Sequence, residues 1–292
     1  MNSIPPITKN LLIINVLAFA ATYVASLYGI DLKDLLGLHF FLANDFQIYQ
    51  LVTYMFMHAG WEHIFFNMFA VWMFGRIMEQ TFGTRRYLLY YFVCGIGAGL
   101  LQEVVQYFSY LSQGLDGYSQ ISLAGITMEM GDYLNRWTTV GASGAVYGIL
   151  LSFGMTYPDE RMFIFPLPVP IKAKYFVMGY ALLELLSALG RSNDGVAHFA
   201  HLGGMLFGLL LILYWRNGNR FPGMQWWKTL KQKRAPRMHI RMGGKHADEM
   251  NYNRSEQERH AEIDRILDKV KKHGYGSLTE EEKRKLFDAS GR

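Results

Sequence analysis

Three polar sequences stand at the beginning of three apolar segments of the chain. In the first, Ser143 lies among glycines and alanines. The other two carry histidines: His63 is followed by Asn67 four residues later, and His201 by Gly204 three residues later. A serine hydroxyl is a weak nucleophile until a base removes its proton, and a neutral imidazole is the usual base near pH 7. If the three segments lie side by side, their first turns could carry out nucleophilic catalysis.

The segments that carry these residues are typical of membrane helices. The chain has 292 residues, of which 51% are hydrophobic and 15% aromatic. A helix of about 20 apolar residues crosses the hydrocarbon core of a bilayer. A cleaved signal peptide that ends near Ser26 is the competing interpretation of the first segment. We predict six transmembrane helices, at residues 10–30, 61–78, 87–107, 140–157, 173–189 and 196–215.

The charges of the links between these helices indicate how the chain is oriented. Links on the side of the N-terminus hold seven Lys and Arg residues, and links on the other side hold three. Since cationic links stay in the cytoplasm, we expect both termini to be cytoplasmic, in a bacterial cell (inner) membrane. The second, fourth and sixth helices then run inward. His63, Ser143 and His201 would therefore lie roughly 5 Å below the outer surface of the core, at 1.5 Å per residue.

The spacing of small residues predicts which helices approach most closely. Ser143 and Tyr147 share one face of the fourth helix, while Gly204 and Gly208 follow His201 along a face of the sixth. Glycines at a helix contact allow the backbones to pack tightly. This contact would bring the serine oxygen and a histidine nitrogen within hydrogen-bond distance.

Attack on a peptide carbonyl creates an oxyanion, which needs fixed hydrogen-bond donors. The candidate donors are the side-chain amide of Asn67, a ring N–H of His63 and the backbone N–H of Ser143. Gly141, two residues before the serine, is grouped with them as a supporting residue.

The other ionisable residues of the apolar segments are interpreted as structural. No carboxylate is placed to orient the histidine base, so we expect a Ser–His dyad and not a triad. Glu103 and Glu184 are interpreted as interface-reaching or helix-pairing residues, not as a metal or proton site. His198 is interpreted as a residue at the start of the helix, near the base but not the base itself. His39 and His58 have no cluster of other candidate residues around them in the sequence.

The combination of these motifs, in this order, resembles the rhomboid family of intramembrane serine proteases. The resemblance covers roughly residues 10–215. It implies an all-α integral membrane protein, built as a bundle of six transmembrane helices. It rests on His63-x-x-x-Asn67, on Gly-Ala-Ser143-Gly with Tyr147 four residues later, and on His201-x-x-Gly204-x-x-x-Gly208.

The resemblance also implies a role for each residue of the site. Ser143 would be the nucleophile and His201 the general base. Asn67 and His63 would support the oxyanion, and Tyr147 would stack against the ring of His201. The implied activity is an endopeptidase that cleaves transmembrane or membrane-proximal segments of membrane proteins that unwind easily.

Two other classes of function compete with a protease. A catalytically silent membrane protein of the same fold would bind transmembrane clients, but such proteins typically lack the serine or the histidine, and this chain has both. A transporter would show inverted repeats and charges near the midplane, and the sequence has neither. We expect transmembrane protein substrates and the lipid bilayer as partners, and no cofactor, metal or nucleic acid. The single cysteine, Cys94, excludes an intramolecular disulfide and a cysteine-based metal site.

The C-terminal residues 217–292 differ from residues 1–216, which form the predicted membrane domain. They hold 18 Lys and Arg against 11 Asp and Glu, a net charge of +7, while the rest of the chain carries −2. A basic tail beside a membrane segment favours anionic lipid on the cytoplasmic side. A capping box at residues 279–282 and apolar residues at helical spacing predict a soluble helical hairpin over about 256–290, on a linker. The sequence does not identify a partner of this tail.

Overall fold

The computed structural model describes residues 4–123, 125–163, 170–190, 197–218 and 245–290. The chain divides into two compact units, Met1–Trp227 and Lys228–Arg292. The predicted boundary after residue 216 lies close to residues 219–244, which are outside the described residues. Its position therefore stays a prediction.

The first unit is mostly helical. Two 3-10 turns, at Tyr54–Phe56 and Leu115–Gly117, and a π-helical turn at Val71–Gly75 interrupt or follow its helices. The helices are α1 (Pro6–Ser26), α2 (Leu32–Leu36), α3 (Gln50–Thr53), α4 (Trp61–Ala70), α5 (Arg76–Phe82), α6 (Thr84–Ser112), α7 (Met130–Leu134), α8 (Ser143–Thr156), α9 (Ala173–Leu189) and α10 (His198–Arg216).

Each predicted transmembrane segment overlaps helix in the structure, although residues 27–30 and 140–142 lie outside α1 and α8, and residue 196 lies outside the described residues. Among the described residues, α1, α6 and α10 are long and apolar enough to cross a membrane by length and composition. Helix α8 is apolar but has 14 residues, and α9 has 17. Helices α4 and α5 continue into each other through the π-helical turn. Six crossings of the membrane therefore stay a prediction.

The first unit is mostly helical, in agreement with the all-α prediction, but short antiparallel strand pairs join the helices. Strands of two to four residues are too short for alternation of apolar and polar residues to reveal them. The pair that matters for the site joins Leu38 to Thr139, two residues before Gly141. The pairs are β1 (Leu38–His39) with β4 (Thr138–Thr139), β2 (Gln120–Leu123) with β3 (Ile126–Glu129), and β5 (Arg161–Phe163) with β6 (Pro170–Lys172).

Helices α6, α8 and α10 form the centre of the first unit and meet through small residues. A Cβ atom on Gly204 of α10 would lie 1.8 Å from the carbonyl oxygen of Gly144 on α8. A Cβ atom on Gly148 of α8 would lie 2.4 Å from Sγ of Cys94 on α6. No real side chain fits at such distances, so the glycines set the separation of the helices. The predicted close contact of the fourth and sixth helices is confirmed.

The link between α8 and α9 begins with Asp159, which is exposed and pairs with two lysines. Its Oδ1 atom lies 3.0 Å from Nζ of Lys172 and 2.8 Å from Nζ of Lys174. Hydrogen bonds from these ammonium groups, led by that of Lys174, lower the pKa of Asp159 to about 2. This link also holds Pro166, Pro168 and Pro170, of which only Pro170, the first residue of β6, lies among the described residues.

The second unit is a pair of helices, α11 (Lys245–His273) and α12 (Glu280–Ser290), joined through a 3-10 turn at Tyr275–Ser277. The predicted capping box is present: Thr279 N–H donates to Oε2 of Glu282 over 2.9 Å, and Glu282 N–H donates to Oγ1 of Thr279 over 3.3 Å. Ile266 and Leu278 are buried within this unit. Helix α11 begins eleven residues before the predicted start of the hairpin.

Candidate active site

The turn before α8 fixes the position of Ser143. Gly141 has φ +131°, and a Cβ atom there would lie 2.7 Å from two ring atoms of His63. Only glycine fits both the conformation and the space. Its N–H donates to the carbonyl oxygen of Tyr54 over 2.9 Å, so it is not free for an oxyanion. Helix α8 then starts at Ser143, whose own N–H belongs to the first turn and has no intrahelical acceptor.

His201 faces Ser143 across the contact of α8 and α10. Its Nε2 atom lies 2.8 Å from Oγ of Ser143, although the residues are 58 positions apart. His201 is buried in the first turn of α10. The contact of Gly144 with Gly204, on the same two helices, allows this approach. The structure thus brings the predicted nucleophile and base to hydrogen-bond distance.

The ring of Tyr147 lies flat against the imidazole of His201. The ring centroids are 4.3 Å apart and the planes differ by 11°. One face of the imidazole is thereby covered, which limits its rotation. The Tyr147 hydroxyl, at the far end of the ring, donates a hydrogen bond to Oε1 of Glu184 on α9.

A carboxylate does stand beside the candidate base, so the expectation that none was placed to orient His201 is wrong. Oε2 of Glu184 lies 3.0 Å from Nδ1 of His201, an ion-pair distance, although the ring N–H does not point along a hydrogen-bond line. The same oxygen lies 2.6 Å from Nδ1 of His198. Glu184 does pair α9 with its neighbours, as predicted, but it does so at the candidate base. The signal that could have identified this role is Glu184 itself, because an ionisable residue within an apolar helix usually faces the interior of the bundle.

Among the described side chains, one group could hold a metal ion: His198, Glu184 and His201. One donor atom from each of these residues lies within 4.8 Å of the others. Two imidazoles and a carboxylate are a donor set that zinc accepts. The 2.6 Å separation of His198 Nδ1 and Glu184 Oε2 is a hydrogen-bond distance. An ion would therefore have to displace this contact.

His63 and Asn67 lie four residues apart, on one face of α4. Ala59 N–H donates to Nδ1 of His63 over 3.4 Å, which leaves the proton of a neutral ring on Nε2. This nitrogen and Oγ of Ser143 lie 2.7 and 3.6 Å from the position of a Cβ atom on Gly141. Nδ2 of Asn67 is buried and has no hydrogen-bond partner among the described residues. A buried amide donor without an acceptor is costly, and an oxyanion would supply the acceptor.

His58 was set aside in the sequence interpretation as a residue without other polar residues around it, and this interpretation is wrong. Its ring is buried, and its centroid lies 5.1 Å from that of His63. Its position five residues before His63, at the same polar opening, is the signal that could have identified it. His39, by contrast, is buried between backbone acceptors: Nε2 lies 2.6 Å from the carbonyl oxygen of Asp34 and Nδ1 lies 2.9 Å from that of Asn135.

Comparison with known proteins places this geometry in a family. Residues 45–217 match the profile of the Rhomboid domain. Residues 248–292 match a family of unknown function (DUF6576), which covers the helical pair of the second unit.

Individual relatives agree with the domain match. The chain is 28% identical over 160 residues to Rhomboid protease AarA of Providencia stuartii, covering 54% of this chain and 52% of that protein. It is 26% identical over 175 residues to Rhomboid-like protease 3 of Toxoplasma gondii, covering 59% and 53%. It is 31% identical over 166 residues to RHOMBOID-like protein 6, mitochondrial, of Arabidopsis thaliana, covering 56% and 42%.

The chain thus spans about half the length of the curated relatives that it matches. The matched domain covers more than half of the chain itself and contains all the candidate site residues. The chain is an integral membrane protein of the rhomboid family.

Proposed function

We propose that this protein is an intramembrane serine endopeptidase that cleaves transmembrane or membrane-proximal segments of membrane proteins. The observation that carries the proposal is the 2.8 Å separation of Ser143 Oγ and His201 Nε2. A silent, client-binding relative would have no need to keep a hydroxyl and an imidazole in this contact. The proteolytic names of the relatives from Providencia stuartii and Toxoplasma gondii support the same activity.

In the first step, Oγ of Ser143 attacks the scissile carbonyl carbon while its proton moves to Nε2 of His201. The C=O electron pair moves onto oxygen and forms the oxyanion. Collapse of this intermediate breaks the C–N bond, and the amine leaves with the proton from Nε2. Water then attacks the acyl-enzyme by the same route, with His201 as its base, and frees Ser143.

Donors on two helices are the candidates to bind the oxyanion. The Ser143 N–H lies at the positive end of α8, and the unpartnered Nδ2 of Asn67 lies on α4. The Nε2–H of His63 adds a third donor, with Gly141 providing the space for its ring. Donors of this kind, fixed before the reaction, lower the barrier by about 3 to 4 kcal/mol each.

We further propose that the site opens toward the extracytoplasmic side, that six helices cross the membrane and that both termini are cytoplasmic. Three of the site's side chains lie within two turns of the beginnings of α4, α8 and α10. Water reaches helix ends more easily than the middle of the bilayer. The substrate must therefore expose an extended backbone at this level, which favours segments that unwind easily.

The test is cleavage by the reconstituted protein. Wild type, Ser143→Ala and His201→Ala are placed in liposomes with a transmembrane substrate whose helix contains glycine and proline. We expect cleavage by wild type alone, and labelling of wild type alone by a fluorophosphonate. Equal cleavage by wild type and Ser143→Ala would contradict the proposed protease function.

A further inference from the structure

We propose that Glu184 is a positioning residue for the reaction, which acts on the Ser143–His201 pair through the imidazole of His201. The inference rests on the proposed protease function, since it assigns Glu184 a role through His201. Glu184 is not expected to touch the substrate.

The imidazole of His201 lies between two groups that use its opposite nitrogens. Nε2 is 2.8 Å from Oγ of Ser143, and Nδ1 is 3.0 Å from Oε2 of Glu184. Among the described residues Nδ1 makes no hydrogen bond, so the carboxylate of Glu184 acts on it as a charge at ion-pair distance. A base that accepts a proton at Nε2 must carry hydrogen on Nδ1, and a carboxylate beside Nδ1 favours that tautomer.

The carboxylate is held by side chains from two other helices. The Tyr147 hydroxyl of α8 donates to Oε1, and His198 Nδ1 of α10 lies 2.6 Å from Oε2. Glu184 is 7% exposed, so little water competes for its oxygens. A charge fixed in this way needs no reorganisation when the imidazolium forms.

The proton transfers balance without a proton on Glu184. When Oγ of Ser143 bonds to the carbonyl carbon, its proton passes to Nε2 of His201 and the ring becomes positive. The negative carboxylate of Glu184 lies 3.0 Å from Nδ1 and stabilises this charge. When the C–N bond breaks, Nε2 returns the proton to the amine, and the ring is neutral again.

Glu184 could instead serve only to hold α9 against α10 through His198. A purely structural role would change stability and substrate binding, while a role through His201 changes the reactivity of Ser143. The rate of fluorophosphonate labelling separates the two, because this small probe reports the activation of the serine without a need for the peptide substrate.

The experiment compares wild type, Glu184→Gln and Glu184→Asp with Glu103→Gln as the matched control. Glu103 is an equally buried glutamate, on α6, whose Oε2 accepts the N–H of Phe41. All proteins are the full chain in liposomes with EDTA, which keeps the three donor side chains free of metal. The measured quantities are kcat, KM, the labelling rate and the midpoint of thermal unfolding.

We expect Glu184→Gln to lower kcat and the labelling rate about 10- to 100-fold, part of the 10²–10⁴ typical of general acid–base catalysis. KM should stay within about threefold of wild type. Glu184→Asp, which keeps the charge on a shorter side chain, should recover part of the loss, and Glu103→Gln should keep wild-type rates. Rates for Glu184→Gln that match those of Glu103→Gln would overturn the inference.

Three further outcomes keep the test decisive. If Glu184→Gln does not fold, Glu184→Ala, which also removes the carboxylate, carries the test, and wild-type kcat and labelling rate in that variant would overturn the inference. If wild type and Ser143→Ala cleave equally, the proposed protease function has failed. If cleavage depends on Ser143 and His201 but is unaffected at Glu184, only the present inference has failed.

Discussion

Thr8 donates both its backbone N–H and its hydroxyl to the same oxygen of Glu79, over 2.7 and 2.8 Å, across 71 positions of the chain. The other carboxylate oxygen accepts the N–H of Ile7 over 3.0 Å. These N–H groups belong to the first turn of α1, where backbone N–H groups have no acceptor within the helix. A negative charge there also meets the positive end of the helix. Helix α5 therefore holds the beginning of α1 in place.

Replacement of Glu79 by Gln should destabilise the first unit. The charge is lost, and one oxygen acceptor becomes an NH₂ group that faces other donors. Since hydrogen bonds to charged groups contribute about 1.5 to 3 kcal/mol each, we expect a loss of about 2 to 4 kcal/mol in the free energy of unfolding in mixed micelles. Glu62→Gln, at an exposed position in the first turn of α4, is the control. Equal stability of the two variants would contradict this role of Glu79.

Replacement of Gly204 by Ala should push α10 away from α8. The added Cβ would lie 1.8 Å from the carbonyl oxygen of Gly144, and helices cannot yield to such a contact without moving apart. Overpacking typically costs about 1 to 3 kcal/mol, and activity should fall because Ser143 and His201 separate. Thermal unfolding and cleavage rates test both effects. Gly179→Ala on α9, where nothing lies within 4 Å of the added atom, should leave both near wild type.

Tyr147 offers two contacts that substitutions can separate. Tyr147→Phe keeps the ring that covers His201 and removes the hydrogen bond to Glu184, whereas Tyr147→Ala removes both. We expect Phe to lower kcat by less than about tenfold and Ala by about 100-fold or more, within the range of general acid–base catalysis. Steady-state cleavage of the same substrate measures both. Equal rates for Phe and Ala would show that the stacked ring does not matter.

Asn67→Ala should lower kcat with little effect on KM, because Nδ2 would bind the oxyanion and not the ground state. Loss of one such donor lowers kcat by about 10² to 10³. Asn15→Ala is the control, since Asn15 is also buried but its Nδ2 donates to the carbonyl oxygen of Leu11 within α1. An unchanged kcat in Asn67→Ala would remove Asn67 from the proposed oxyanion site.

The helices were predictable because long apolar runs are local patterns of the sequence. The Ser143–His201 contact was predictable because the spacing of glycines along two of these helices indicates where they pack together. Three features depended on information that such patterns do not carry. The start of α8 at Ser143, and not at residue 140, follows from the positive φ of Gly141. Glu184 indicates which face of α9 turns inward, but its contact with His201 depends on how α9 packs against α10, which local patterns do not show. The strand pair of Leu38 and Thr139 joins residues that are far apart in sequence and too few to form a pattern.

The orientation of the chain can be tested with single cysteines, because the one native cysteine, Cys94, is fully buried. Ser112→Cys, at the end of α6, should lie outside, and Glu160→Cys, beside the cationic link of Lys172 and Lys174, should lie in the cytoplasm. Both positions are exposed. A membrane-impermeant maleimide should label Ser112→Cys in intact spheroplasts, and Glu160→Cys only after permeabilisation. The reverse pattern would place the openings of α4, α8 and α10 on the cytoplasmic side and contradict the proposed access of the site from outside.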